Sequence, residues 1–248
     1  MKLNIIAVIP ARYNATRFPG KLLKDLNGES VIYRTYQSVV NTGIFKEVIA
    51  ATDDDRILEN ITSKGGKAVK TSPHHQSGSD RIAEVVQHLD VDVVVNIQGD
   101  EPFILQKDLE SLVQIFQQDV NKSVHVATLV ESIQKEEDIK NPNNVKVVLD
   151  ESQHALYFSR SVIPYQRDSE GKVEYLKHIG IYAFRKEALL EFTQLPQGNL
   201  EKIEKLEQLR YLENGYKIKV AYAEGKTIGI DTEEDLEFAR RYMKLLKQ

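Results

Sequence analysis

Ile5-Ile6-Ala7-Val8-Ile9-Pro10-Ala11-Arg12-Tyr13-Asn14-Ala15-Thr16-Arg17-Phe18-Pro19-Gly20-Lys21 is the stretch whose reading decides the fold. Its first residues are apolar without alternation, the pattern of a strand covered on both faces in a parallel sheet. At Pro10 the run breaks into a loop carrying the cations Arg12, Arg17 and Lys21, the Thr16 hydroxyl and Gly20. At the carboxyl end of a first strand such a set can grip a polyphosphate: backbone N–H groups and a glycine permit close approach, and the cations offset the charge. A solvated basic loop leaving the sheet is the plainer reading. Physics alone leaves the two level, because α/β sheets bind ligands at strand carboxyl ends. The spacing matches neither the P-loop nor the dinucleotide glycine fingerprint.

Working outward, Ser30 to Val40 has helical spacing through Ile32, Tyr36, Val39 and Val40, with Gly43 placed to stop it. Glu47–Thr52 is a second buried strand. Ile57, Leu58 and Ile61 share a helical face closed by Gly65-Gly66, and Lys67–Lys70 is a short strand. This β-α-β-α-β order predicts a doubly wound, mostly parallel α/β sheet. Asp53-Asp54-Asp55 is most simply a helix N-terminus favoured by the macrodipole. His74-His75 invites a metal reading, but neighbouring residues rarely turn both rings to one ion. A helix-initiating loop with Ser79 and Asp80 in the first turn is the simpler account.

Further along, Asp90 to Pro102 is an apolar strand ending in Gly99-Asp100. The aspartate there is either a turn-former or a carboxylate for Mg²⁺, a hard cation that prefers oxygen and shares substrate phosphates. Asn143–Asp150 and Ala155–Arg160 read as an antiparallel hairpin, in which Arg160 on its own is a surface charge. Lys177–Phe184 alternates, placing His178, Gly180 and Tyr182 on one face; the glycine leaves room for a ligand between the two rings. Glu204–Glu213 reads as one helix with Leu206, Leu209 and Leu212 facing the core and Glu207 and Gln208 on a solvated side. Thr232 and Asp235 have capping-box spacing, which leaves Asp231 to point elsewhere.

With 248 residues, 41% hydrophobic and 28% charged, the chain can bury a sizeable core. Its formal net charge of −4 argues against general nucleic-acid binding. The absence of cysteine excludes disulfides, thiolate metal sites and cysteine nucleophiles. The N-terminal apolar run is too short for a membrane span and lacks a signal-peptide layout, so the expectation is a cytoplasmic protein with no membrane or nucleic-acid partner.

Seven motifs in order then carry a resemblance over essentially the whole chain. Pro10-Ala11-Arg12-Tyr13…Thr16-Arg17-Phe18-Pro19-Gly20-Lys21 looks like the nucleotide signature of sugar nucleotidyltransferases. His75-Gln76-Ser77-Gly78-Ser79-Asp80-Arg81 (Ser79 and Asp80 depart mildly), Gln98-Gly99-Asp100-Glu101-Pro102, Tyr157-Phe158-Ser159-Arg160, His178-x-Gly180-x-Tyr182, Leu206-Glu207-Gln208-Leu209-Arg210 and Gly229-x-Asp231-Thr232-x-Glu234-Asp235-Leu236 extend it. The chain resembles the 3-deoxy-manno-octulosonate (Kdo) cytidylyltransferases most closely. Ala15, where many members carry serine, is a departure.

The resemblance implies transfer of CMP from CTP to Kdo with release of pyrophosphate, an activation step for lipopolysaccharide biosynthesis. Lys21, Arg12, Asp100 and Asp231 would be catalytic, the two aspartates holding Mg²⁺. Nucleotide contacts would come from Arg12, Thr16, Arg17, Lys21, Asp53, Gln76, Ser77 and Arg81. Sugar contacts would come from Gln98, Arg160, His178, Tyr182, Glu207 and Gln208. The implied organisation is one domain over 1–248, with a nucleotide-binding core at about 1–130 and 195–248. An antiparallel sugar-binding and dimerisation insertion takes up about 131–194, and the assembly would be a homodimer. Competing readings are a cytidylyltransferase for 8-amino-Kdo or a sialic acid, and a non-catalytic nucleotide-binding module. A glycosyltransferase would usually show Asp-x-Asp, which Asp100-Glu101-Pro102 does not fit.

Overall fold

In the computed structural model the described residues are 3–14, 18–168, 171, 173–225 and 228–246. They form two compact units, Met1–Leu109 with Thr227–Gln248, and Glu110–Lys226. Thr16 and Arg17 lie outside the described residues.

Strand β1 (Ile5–Ala11) is buried almost throughout, as its uninterrupted apolar run requires. It is followed by α1 (Val31–Asn41), β2 (Glu47–Thr52), α2 (Asp55–Thr62), β3 (Ala68–Lys70), α3 (Gly78–Val86) and β4 (Val93–Asn96). In this unit the strands run in the order β3-β2-β1-β4, all parallel, with Val8 opposite both Ile49 and Asn96. The helices start where the sequence supplies acceptors for their orphan N–H groups. Ser30 caps α1, Asp54 caps α2, and Ser77 with Asp80 forms a capping box on α3. The acidic triplet is thereby accounted for at Asp54 and Asp55.

Helix α4 (Gln106–Gln118) carries the chain onward, and the second unit adds β5 (Val126–Ile133), α5 (Glu136–Lys140), β6 (Lys146–Leu149), β7 (Ala155–Ser159), β8 (Tyr175–Arg185), α6 (Lys186–Gln194), α7 (Asn199–Glu204), α8 (Leu209–Glu213) and β9 (Ile218–Tyr222). Here β5 pairs antiparallel with β8 and parallel with β9, while β6 pairs antiparallel with β7 and β8. The expected antiparallel hairpin is β6–β7. Compactness sets this second unit at Glu110–Lys226.

The chain returns to the first unit with α9 (Glu233–Leu245), capped by the Thr232–Asp235 box. Asn27 Nδ2 donates to the Arg240 carbonyl at 2.9 Å, and the Arg240 guanidinium donates back to the Asp25 carbonyl at 2.6 Å. The last helix is thus tied to the loop that leaves the Lys21 turn.

One expected element is corrected. Glu204–Glu213 is not one helix: α7 ends at Glu204, Lys205 takes a left-handed conformation (φ 54°), and α8 begins only at Leu209. Among the described residues no helix is long and apolar enough to cross a membrane.

Candidate active site

Strand order positions the first cluster. From β1 the chain winds outward through β2 to β3, then returns to place β4 on the other side of β1. The loops after β1 and β4 therefore diverge from adjacent strand ends, where a doubly wound sheet opens its binding crevice. Pro10, Arg12, Asn14, Lys21, Gln98, Gly99 and Asp100 line a cavity of about 230 Å³ there. Gly20, at φ 69° with its N–H donated to the Tyr13 carbonyl at 3.0 Å, turns the loop so that Lys21 starts a short 3₁₀ turn. A Cβ on Gly20 would stand 3.1 Å from the Tyr13 ring, so the turn is closed to larger residues.

Lys21 holds the centre. Its ammonium donates to Asp100 Oδ2 and, at 2.8 Å, to Asp231 Oδ1. The two aspartates lie far apart in sequence but their loops are tied: the Ile230 N–H donates to the Asp100 carbonyl at 3.0 Å. Thr35 Oγ1 of α1 donates to the Gly99 carbonyl at 2.9 Å, anchoring the same loop from below. Burial pulls the Lys21 ammonium down, but Asp100 and Asp231 outweigh it and raise it above the usual lysine range. Two carboxylates already gathered on one cation are the hard oxygen donors Mg²⁺ prefers. Among the described residues no three or more His, Cys, Asp or Glu side chains cluster as a complete cage.

Beside this cluster Arg81 of α3 is fully buried, an unusual place for a guanidinium. It donates to Thr71 Oγ1 and sits 3.3 Å from Asp53 Oδ1. Burial draws its pKa down, Asp53 pulls it back up, and Arg12 pushes it down again. Arg12 donates to the His75 carbonyl at 3.0 Å, joining the first loop to the loop before α3. Ser77 is committed to its cap and Gln76 is exposed.

The second cluster lies in the other unit. His178 and Tyr182 on β8 have ring centroids 5.2 Å apart, and a Cβ on Gly180 between them would meet nothing within 4 Å. Burial, then the Lys177 charge, pushes the His178 imidazole down to about 3. Burial and Glu207 push the Tyr182 phenol up. The turn after Lys205 brings Gln208 inside, with its Nε2 buried and without a hydrogen-bond partner among the described residues; Glu207 is half-buried. The solvated face expected for this pair does not form.

The comparisons converge on one family. A family model described as cytidylyltransferase matches residues 6–218. A protein from Flavobacterium johnsoniae named 3-deoxy-manno-octulosonate cytidylyltransferase is 56% identical over 98% of this chain and 99% of its own. The chain belongs to the 3-deoxy-manno-octulosonate cytidylyltransferases. A relative of the same name from Christiangramia forsetii is 52% identical over 98% of both chains. Among solved structures, CMP:2-keto-3-deoxy-manno-octonic acid synthetase complexed with CTP superposes with a TM-score of 0.92. It is 42% identical and covers 98% of this chain and 99% of that one. The mixed α/β fold of this family, mostly parallel with antiparallel strands, is the fold expected from the sequence.

For this cytidylyltransferase the sequence motifs sort into two groups. Arg12, Lys21, Asp53, Gln76, Ser77, Arg81, Gln98, Asp100 and Asp231 belong to the first unit, and Arg160, His178, Tyr182, Glu207 and Gln208 to the second. The Arg160 guanidinium donates to the carbonyls of Glu204 (2.7 Å), Pro142 (3.0 Å) and Lys205 (3.4 Å), which staples the helix break. Three residues escaped the motif reading. Tyr211, whose buried hydroxyl has no hydrogen-bond partner among the described residues, stacks on Phe192 at 4.0 Å and reads in sequence as another core position. Thr35 bonds to backbone carbonyls, and Thr128 bonds to backbone carbonyls and to a histidine fifty positions away, so no residue pattern announces either.

Proposed function

We propose that the protein transfers CMP from CTP to Kdo, forming CMP-Kdo and pyrophosphate. The observation that carries the reading is the pair Asp100 and Asp231 gathered around the Lys21 ammonium at the point where the strand order reverses. The Kdo anomeric hydroxyl attacks the α-phosphorus in line. The new P–O bond forms as the bond to the pyrophosphate oxygen breaks, and the hydroxyl proton passes to solvent. No residue is acylated or phosphorylated, so the protein's work is positioning and electrostatics.

Asp100 and Asp231 would hold Mg²⁺. When bound, that ion supplies charge neutralisation at the phosphates and acidifies a hydroxyl within its reach. Lys21, Arg12 and Arg17 bind the β- and γ-phosphates, with Thr16 adding a hydroxyl. Gln76, Ser77, Arg81 and Asp53 hold the base and ribose. Gln98, His178, Tyr182, Glu207 and Gln208 bind the sugar acid, since amides, carboxylates and neutral rings suit a polyol. Arg160 serves the sugar through the loop it staples. The reading extends to a homodimer in the cytoplasm, where CTP is made, feeding lipopolysaccharide assembly.

The test is pyrophosphate release with CTP, Mg²⁺ and fresh Kdo, run beside 8-amino-Kdo, a sialic acid, a no-sugar control and an EDTA arm. Kdo-dependent release abolished by EDTA is expected. Release only with another acid keeps the chemistry and changes the substrate. CTP binding without release for any sugar overturns the catalytic reading. Sedimentation of the full chain decides the dimer.

A further inference from the structure

Thr128 lies on β5, fully buried, at the one place where the β5–β8 ladder slips. Thr128 pairs with Tyr182, whereas the next residue, Leu129, pairs with Ile179, so Gly180 and Ile181 form a two-residue bulge on β8. A bulge turns backbone groups out of the ladder, and buried ones must find partners. Thr128 Oγ1 lies 2.8 Å from the Ile181 carbonyl, 3.1 Å from the Ile179 carbonyl and 3.0 Å from His178 Nε2.

One hydroxyl proton serves these three neighbours. Carbonyl oxygens can only accept, so the proton goes to a carbonyl; aiming it at the ring instead would leave two oxygens pressed on Oγ1 with no hydrogen between them. The contact with His178 must then run the other way, from Nε2–H to Oγ1. We infer that Thr128 is a positioning residue that fixes His178 as the Nε2–H tautomer, making Nδ1 a standing hydrogen-bond acceptor for a hydroxyl of the acceptor sugar.

Three further facts agree. Nδ1 takes no hydrogen bond from any described residue, while the Phe158 ring, edge-on at 5.1 Å, and the Tyr182 ring hold the imidazole plane. Burial keeps the ring neutral, so it accepts a hydrogen bond without removing the proton. Tyr182 beside it stays protonated and can donate. A fixed acceptor and a fixed donor side by side match two hydroxyls of a polyol. Thr128 thus links a backbone irregularity to the chemistry of one ring nitrogen.

The sugar part of this inference rests on the Kdo reading above; the tautomer part does not, and the experiment separates them. Nitrogen-15 NMR of the full-length protein at neutral pH reads the tautomer directly, with the His178 signals identified by their loss in His178→Gln. The expected result is protonated Nε2 and bare Nδ1 in the wild type and in Thr128→Ser, and mixed tautomers in Thr128→Val. A protonated Nδ1 in the wild type overturns the inference, and this measurement stands even if Thr128→Val does not fold. In kinetics, Thr128→Val should raise KM for Kdo about three- to tenfold, the worth of one neutral hydrogen bond. KM for CTP should stay unchanged, and Thr128→Ser should restore the wild-type value. Equal losses for both substrates overturn the positioning role. A tautomer lost in Thr128→Val with KM for Kdo unmoved overturns the assignment of His178 to the sugar.

Discussion

Asp100 and Asp231 share one ammonium, so each can lose its charge without leaving the other buried and alone. Asp100→Asn should lower kcat by about 10²–10³, the usual cost of one preorganised charge contact. The melting temperature should stay within a few degrees, because Lys21 keeps Asp231. Substantial turnover of this variant at saturating Mg²⁺ would take Asp100 out of the metal role. A different residue sets the acid response. Burial pushes the Asp119 carboxyl up, but Arg185 at 2.7 Å and the N–H groups of Val124 and Ser123 outweigh it and hold it well below the usual carboxylate range. The unfolded chain therefore takes the proton first. The stabilisation is complete above the ordinary aspartate pKa of about 3.9 and is lost as pH falls from there toward the lower folded value. Urea midpoints of wild type and Asp119→Asn should differ at pH 7, and the gap should narrow steadily as pH falls below about 4; a constant gap would sink the assignment.

The helix break after Glu204 is the element on which the second cluster depends. Arg210 of α8 donates twice to Glu201 of α7, at 2.7 and 2.6 Å, with both side chains 7% exposed. Glu201→Gln leaves a buried guanidinium half-paired and should cost about 3–5 kcal/mol in denaturant unfolding. At the break, Lys205 pays the usual αL strain of an L-residue, so Lys205→Gly should be neutral or stabilising by up to about 1 kcal/mol. A clear loss on that change would mean the lysine side chain, rather than its backbone, holds the turn. Nothing local advertises this break. The leucine spacing through Leu206, Leu209 and Leu212 fits a continuous helix, and the staples come from Pro142, Arg160 and Glu201, distant or off-register in sequence.

At the scale of the molecule, Arg12, Lys21, Asp100 and Asp231, the residues proposed to hold the phosphates and the metal, are already held by one another and by the His75 carbonyl within the first unit. CTP with Mg²⁺ should therefore raise the unfolding free energy by about 2.7 kcal/mol at a hundredfold excess over its Kd. Thermal melts with CTP, with CTP and EDTA, and with ATP check this. A melting temperature unmoved by CTP would remove the nucleotide reading, while equal protection by ATP would remove its base selectivity.

Element order, the parallel sheet, the caps at Ser77 and Thr232, and the loops bearing Arg12, Lys21, Asp100 and Asp231 were legible in the chain itself. Each rests on local rules: apolar runs make buried strands, short polar side chains cap helices, and ligands gather at strand carboxyl ends. Only the tertiary structure decided that Lys21 bridges Asp100 and Asp231, that Glu207 and Gln208 turn inward, that Arg160 staples a break, and that Thr128 meets His178 across a bulge. Those contacts join residues tens to hundreds of positions apart, or hinge on a backbone slip of two residues, and residue spacing along one chain carries no record of either.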